Sequence, residues 1–200
     1  MIKRFFTLAL PVFILSACAS TPNASLPDPV AAGSSGLALP DKAHFLQQDP
    51  RWAGEQLGWS ADTLGSDGCL VTAVSMALVN LGFDTNPSDL NHRLTRTKSF
   101  TDQGWLVWSG VSKVTEGAAK ARFHTEVDDQ IIASCMLDGY YPLVRFDNLP
   151  NGRSHWAMIV RRSAEGYHMR DPLRPSTKPL IFPGNADHFR AVRCVGQAAA

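Results

Sequence analysis

Three kinds of apolar block succeed one another along the chain. The first, Phe5–Leu15, is an almost unbroken apolar run behind Lys3 and Arg4. It is about half as long as a bilayer-spanning helix, which needs roughly 20 residues, so it reads as the core of an export signal over Met1–Ala17. The second kind is helical. Cys69–Leu81 is apolar nearly all round, the mark of a buried central helix. Gly65-Ser66-Asp67-Gly68 precedes it and Gly82 follows, so Ser66 or Asp67 is expected to cap its start and Gly82 to end it. Pro87–Leu94, Val111–Arg122 and Asp128–Leu137 read as further helices, with Pro87 at a first helical position and Gly139 as a stop. The third kind is β-rich and short: Tyr141–Phe146, His155–Arg161, Tyr167–Arg170, Leu180–Phe182 and Phe189–Val195, separated by Gly, Pro, Asn and Asp. Ser163-Ala164-Glu165-Gly166 joins two of these runs as a hairpin. Helices first and strands afterwards predict an α+β domain with an antiparallel sheet.

Between the signal and the first helix, Ala19–Pro40 is rich in Ala, Ser, Pro and Gly and carries one charge, Asp28. It has nothing to bury and reads as a flexible tether with a span on the order of 25 Å. Leu15-Ser16-Ala17-Cys18 resembles the lipobox of bacterial lipoproteins, in which the cysteine is lipidated and becomes the new N-terminus. The alternative is an ordinary secretory signal that carries a cysteine. The expected organisation is a signal over 1–17, lipidated Cys18 and tether over 18–40, and a domain over 41–200. Ala19 follows the cysteine where inner-membrane retention would want Asp, so in a two-membrane host the resemblance implies the outer membrane, facing the periplasm.

Composition narrows the function classes. At 44% hydrophobic, 18% charged and 9% aromatic, the 200 residues have a globular profile. Lys+Arg 19 against Asp+Glu 18, with no basic stretch, sets nucleic-acid binding aside. No G-x-x-x-x-G-K-[ST] signature offers a nucleotide site. Of the four cysteines, Cys69, Cys135 and Cys194 remain once Cys18 is assigned to lipid. An odd number in an oxidising compartment leaves at least one unpaired or reactive. No C-x-x-C or H-E-x-x-H occurs, so neither a metal nor a cofactor is expected. Cys135 and Cys194 read as small buried hydrophobes, with a disulfide between them as the alternative.

Cys69 is in a different position. A thiol in the first turn of a helix is placed where the dipole and unpaired N–H groups favour the thiolate. The same N–H groups can stabilise an oxyanion. A nucleophilic cysteine also needs a base, and the base an orienting group. His155 opens the first strand of the hairpin and Asp171 follows its second, and an antiparallel hairpin returns those two ends to one edge of the sheet. The constellation Cys69/His155/Asp171 therefore requires a His155–Asp171 contact. Asp147 and Asn148 are rival orienting groups in the loop before His155.

Several segments, in order, resemble the papain-like cysteine peptidases of the bacteriocin-leader-processing family and its stand-alone relatives, family thirty-nine of that clan. Phe45-Leu-Gln47-Gln-Asp49-Pro-Arg51-Trp52 is similar to the family's opening strand, Q-x-D-x-x-W. Gly65-Ser-Asp-Gly68-Cys69-Leu-Val-Thr72-Ala-Val-Ser-Met76 resembles its G-S-x-G-C-x-x-T-x-x-x-M helix start. Gly139-Tyr-Tyr-Pro142-Leu-Val144, His155-Trp156-Ala-Met-Ile-Val160 and Tyr167-His-Met-Arg-Asp171-Pro172 complete the series. Val71 departs from it, because many relatives have proline there. The resemblance implies a papain-like fold with the nucleophile on the central helix. Cys69 would be the nucleophile, His155 the general base and Asp171 its orienting group. Gln47 would be the oxyanion donor, with the adjacent Gln48 as the alternative in a one-residue slip. Trp156 would line the cleft and keep water from the Cys69–His155 pair. The expected activity is a lipid-anchored cysteine peptidase or amidase acting on a peptide or protein through a thioester. An acyl transferase with the same triad, or a catalytically idle domain that binds or assembles, are the alternatives.

Overall fold

The computed structural model describes residues 36–147 and 154–198, so the signal over 1–17, Cys18, most of the tether and Asn148 lie outside the described residues. Among the described residues there are five α-helices: α1 (Leu64–Asp67), α2 (Cys69–Asn80), α3 (Pro87–Arg96), α4 (Ser109–Val114) and α5 (Asp129–Leu137). Six strands, β1 (Ala119–Phe123), β2 (Tyr141–Asp147), β3 (Ser154–Ser163), β4 (Gly166–Arg170), β5 (Leu180–Phe182) and β6 (Ala191–Gln197), form one antiparallel sheet in the order β1-β6-β2-β3-β4-β5.

Strand alternation gives each face of the sheet its own core. Tyr141, Leu143, Met158, Val160 and Val195 pack with α2, α3 and α4, while Val144, Phe146, Ala157, Ile159, Val192 and Cys194 pack with α5. Nine of the twelve α2 residues are buried, as its all-round apolar sequence requires. Two of the buried polar side chains of α2 have partners: Ser75 Oγ donates to Val71 O (2.9 Å) and Asn80 Oδ1 accepts from Lys42 N (2.7 Å), while the Thr72 hydroxyl has none among the described residues. Side-chain caps define two further helices, the Asn86 side chain accepting from Asp89 N and that of Asp128 from Ile131 N.

The structure corrects four expectations. The helix expected over Val111–Arg122 is one short helix and one strand. Glu116 and Gly117 adopt positive φ (52° and 86°), which ends α4, and Ala119–Phe123 then pairs along β6. The strand expected at Phe45–Trp52 is a series of turns, with Asp49 N and Trp52 N bonded to Leu46 O and Asp49 O. The tether ends before Pro40. Leu39 N donates to Val160 O and Arg162 N to Leu37 O, both at 2.8 Å, which lays this segment along β3. Cys135 and Cys194, read first as separate buried hydrophobes, form a disulfide that ties α5 to β6 across a separation of 59 residues.

Candidate active site

Helix α2 begins at Cys69, and its N-cap is Gly68, which supplies no side-chain acceptor. The expected caps, Ser66 and Asp67, belong instead to the preceding turn, α1. Thr63 caps α1 in a reciprocal capping box with Ser66. The first N–H groups of α2 are thus left to whatever occupies the space before them. Two glycines make this junction tight. A Cβ on Gly65 would lie 2.8 Å from Ala53 O, and one on Gly68 would lie 2.4 Å from Leu64 O. Cys69 is half-buried and is not in a disulfide. Val71, the departure from the family pattern, is a buried member of the regular helix and lines the cleft.

The hairpin of β3 and β4 brings His155 and Asp171 together. His155 Nε2 and Asp171 Oδ1 are 2.6 Å apart, and both residues are buried. An ionised carboxylate can only accept, so the proton sits on Nε2 and leaves Nδ1 for Cys69. Burial alone would depress the imidazole pKa. Hydrogen bonding to Asp171 and to the Cys69 side chain, reinforced by their charges, outweighs it and raises His155 to about 9. Burial alone would raise the Asp171 carboxyl. The His155 hydrogen bond and charge, the Leu173 N–H and the Arg174 charge instead hold it below the usual carboxylate range.

The groups behind Asp171 are fixed in turn. Its Oδ1 accepts from Leu173 N at 2.8 Å. Its backbone carbonyl lies 3.0 Å from His44 Nε2, whose other ring nitrogen faces Ser176 O at 2.9 Å. The adjacent Arg170 forms a two-point ion pair with Asp41 (2.8 and 2.7 Å). The ring of Phe146 meets His155 edge-on, with centroids 5.5 Å apart. Of the rival orienting groups, Asp147 pairs with Arg190 at 3.4 Å.

Gln47 is buried beside this pair. Its N–H donates to Pro172 O (2.9 Å), and its Nε2 donates one hydrogen to Gly65 O (2.9 Å). The second amide hydrogen remains for a ligand, and Oε1 has no partner among the described residues. Gln48 is exposed, although it also borders the cleft. The cleft, about 870 Å³, is lined by Gln47, Cys69, His155 and Trp156 together with Trp105 and Trp108. Trp156 is half-buried, and its ring lies 5.9 Å from that of Trp108.

The sequence reading passed over Arg145 and Arg193, which also line the cleft. A signal for them exists. Each occupies the strand phase whose other members, Tyr141 and Leu143 or Val195, face the α2 core. Among the described residues the cluster with metal-ligand potential is His124, Cys135 and Cys194. Its two sulfurs are joined to each other, so neither is a thiolate that could bind an ion.

No family model matches the sequence, and no curated protein matches it. Among solved structures it is similar to a Bacillus anthracis chain assigned by inference as a C39-like peptidase, with a TM-score of 0.58 and 12% identity. The match covers 82% of this chain and 99% of that one. At that identity the likeness establishes the fold: helices and a six-stranded antiparallel sheet arranged as in that peptidase.

Proposed function

We propose that this chain is a cysteine peptidase or amidase of the cell envelope, anchored through lipidated Cys18 on the outer membrane in a two-membrane host. The observation that carries the reading is a free thiol at an uncapped helix N-terminus, on the wall of the same cleft as an imidazole that a buried carboxylate holds. The designation of the Bacillus anthracis neighbour points to the same chemistry.

As the reaction begins Cys69 passes its proton to Nδ1 of His155, and Asp171 keeps the ring in place and stabilises its charge. The thiolate sulfur attacks the scissile carbonyl carbon. The oxyanion that forms takes hydrogen bonds from the Cys69 N–H and from the unused Gln47 amide hydrogen. Collapse of this intermediate breaks the C–N bond, and the imidazolium proton goes to the leaving amine. The thioester is then hydrolysed by a water whose proton returns to His155. Trp156 and Trp108 limit the access of other water to the pair. A second acceptor in place of water would make the same intermediate a donor for acyl transfer.

The test is the pH dependence of Cys69 alkylation by iodoacetamide in the full chain and in His155→Ala, read by mass spectrometry of the Cys69 peptide. An ordinary thiol titrates near about 8.5, whereas a thiolate held by an imidazolium reacts well below about pH 7. Low-pH reactivity that disappears in His155→Ala is the expected result. A Cys69 that is inert, or that titrates as a free thiol in both proteins, overturns the peptidase reading and leaves a binding domain.

A further inference from the structure

Arg145 on β2 and Arg193 on β6 belong to neighbouring strands and point to the same face. Arg193 stands opposite Leu143, two residues before Arg145, and Arg145 stands opposite Trp156. Diagonal neighbours of this kind lie about 7–8 Å apart at the backbone, within reach of one shared group between two long side chains. Both line the cleft that holds Cys69.

Their surroundings leave charge uncompensated. The Nε of each is buried and has no acceptor among the described residues. The Arg145 side chain has no hydrogen-bond or ion-pair partner there, while Arg193 Nη1 donates only to two carbonyls, Val192 O (2.7 Å) and His124 O (3.3 Å). Arg190, also on the cleft, is already paired with Asp147. The acidic residues on the cleft, Asp62 and Asp67, precede Cys69 in the chain, and among the described residues no ion pair joins either to Arg145 or Arg193. Burial and the nearby Arg145 charge both lower the Arg193 pKa, so the pair repel each other at a desolvated site. Burying donors without acceptors is costly, and leaving two like charges adjacent adds to the cost. One anion between the two guanidinium groups relieves both. The site is also shaped for it, since Arg193 lies over the Phe123 ring at 4.9 Å and Trp156 faces Arg145 across the strand pair. Apolar walls strengthen each charge-assisted hydrogen bond and hold the planar forks in place.

We propose that Arg145 and Arg193 form a carboxylate-binding subsite of the cleft, which selects acidic peptides for Cys69. The inference rests on the peptidase reading for its substrate class. The carboxylate belongs to a Glu or Asp side chain or to a free peptide C-terminus, two sources with one chemistry.

The test separates the subsite from the catalysis. Full chain carrying Cys69→Ala is titrated with pools of amidated hexapeptides that hold Glu at one position, and with the matching Gln pools. Tryptophan emission, to which Trp156 and Trp108 contribute, reports binding. A third set with Gln and a free C-terminus reads the other source. Binding of one carboxylate set about tenfold or more tighter than its neutral counterpart is expected, since each charge-assisted contact is strong. That preference should vanish in Arg145→Gln and in Arg193→Gln and return only in part in Arg145→Lys, which keeps the charge but not the fork. Iodoacetamide labelling of Cys69 in the single Arg variants, equal to that of the parent chain, shows that they are folded. Equal binding of carboxylate and neutral pools overturns the subsite, as does a preference that survives both Arg→Gln changes. Carboxylate preference without peptide hydrolysis by the parent chain overturns the peptidase reading alone. Hydrolysis without the preference overturns the subsite alone.

Discussion

The two faces of the sheet use cysteine in opposite ways. On the α5 face Cys135 and Cys194 are fully buried, bonded to each other and surrounded by Val144, Phe146, Tyr167 and Phe189. On the α2 face Cys69 stands unpaired at a helix N-terminus, on the wall of an open cleft. The contrast extends to polar satisfaction. Five buried side-chain atoms lack hydrogen-bond partners among the described residues, and none lies in the α5-side core. Three of them, on Gln47, Arg145 and Arg193, border the cleft. Native interiors satisfy nearly all such groups, so their concentration at the cleft supports the substrate site proposed there. One face is closed and held by a cross-link. The other leaves donors free, and that freedom is what binding and catalysis need.

The comparison is broken most sharply by exchanging the roles of the cysteines. Cys69→Ala or His155→Ala should lower peptide hydrolysis by up to about 10⁶-fold, the loss that accompanies removal of a nucleophile or its base. The Cys135→Ala/Cys194→Ala pair should leave kcat within a few-fold of the parent. Next in size is Gln47→Ala. Loss of one oxyanion donor should cost about 10²–10³-fold in kcat with little change in KM, measured on the same substrate. A KM effect alone would move Gln47 from oxyanion donor to substrate contact.

On the closed face the effect should appear in stability instead. Removing the Cys135–Cys194 cross-link should lower the unfolding free energy by about 2–4 kcal/mol in urea titrations, with Cys69 alkylation unchanged. The buried His155–Asp171 pair gives a pH signature at the cleft that His155 lines. The folded imidazole titrates near 9 against an ordinary value of 6.5, so its contribution is complete below about 6.5 and is lost as pH rises through about 9. Asp171 is depressed below 3.8, so its contribution is present above that value and is lost as pH falls through the folded pKa. The stability difference between the parent and His155→Ala should therefore be largest between about pH 4 and 6.5, at most about 3 kcal/mol. It should shrink on both sides, and a difference that grows from pH 7 to 10 would contradict the assignment. The smallest effect belongs to the local frame of Cys69. Thr63→Ala removes the cap of α1 and should cost about 1 kcal/mol of stability.

Local pattern was sufficient for much of this molecule. The all-round apolar character of Cys69–Asn80 specifies a buried helix, because such a segment can lower its free energy only inside. Asn86-Pro87 and Asp128 specify helix starts through caps within three residues. The Ser163–Gly166 turn specifies the hairpin, and with it the return of Asp171 towards His155. The α+β class follows from the order of these elements. What required tertiary structure was every feature set by a partner distant in sequence. Ala119–Phe123 carries no signal against helix other than the Glu116-Gly117 break, and it became a strand because β6 offered an edge. The disulfide depended on α5 and β6 meeting across 59 residues, which no spacing encodes. The attachment of Leu37–Leu39 to β3, and the pairing of Arg145 with Arg193, depended on strand register. Backbone propensity and burial act over a few residues and are written in the chain. Register and cross-links are decided only when the whole core closes, because only then does each strand have a neighbour to choose.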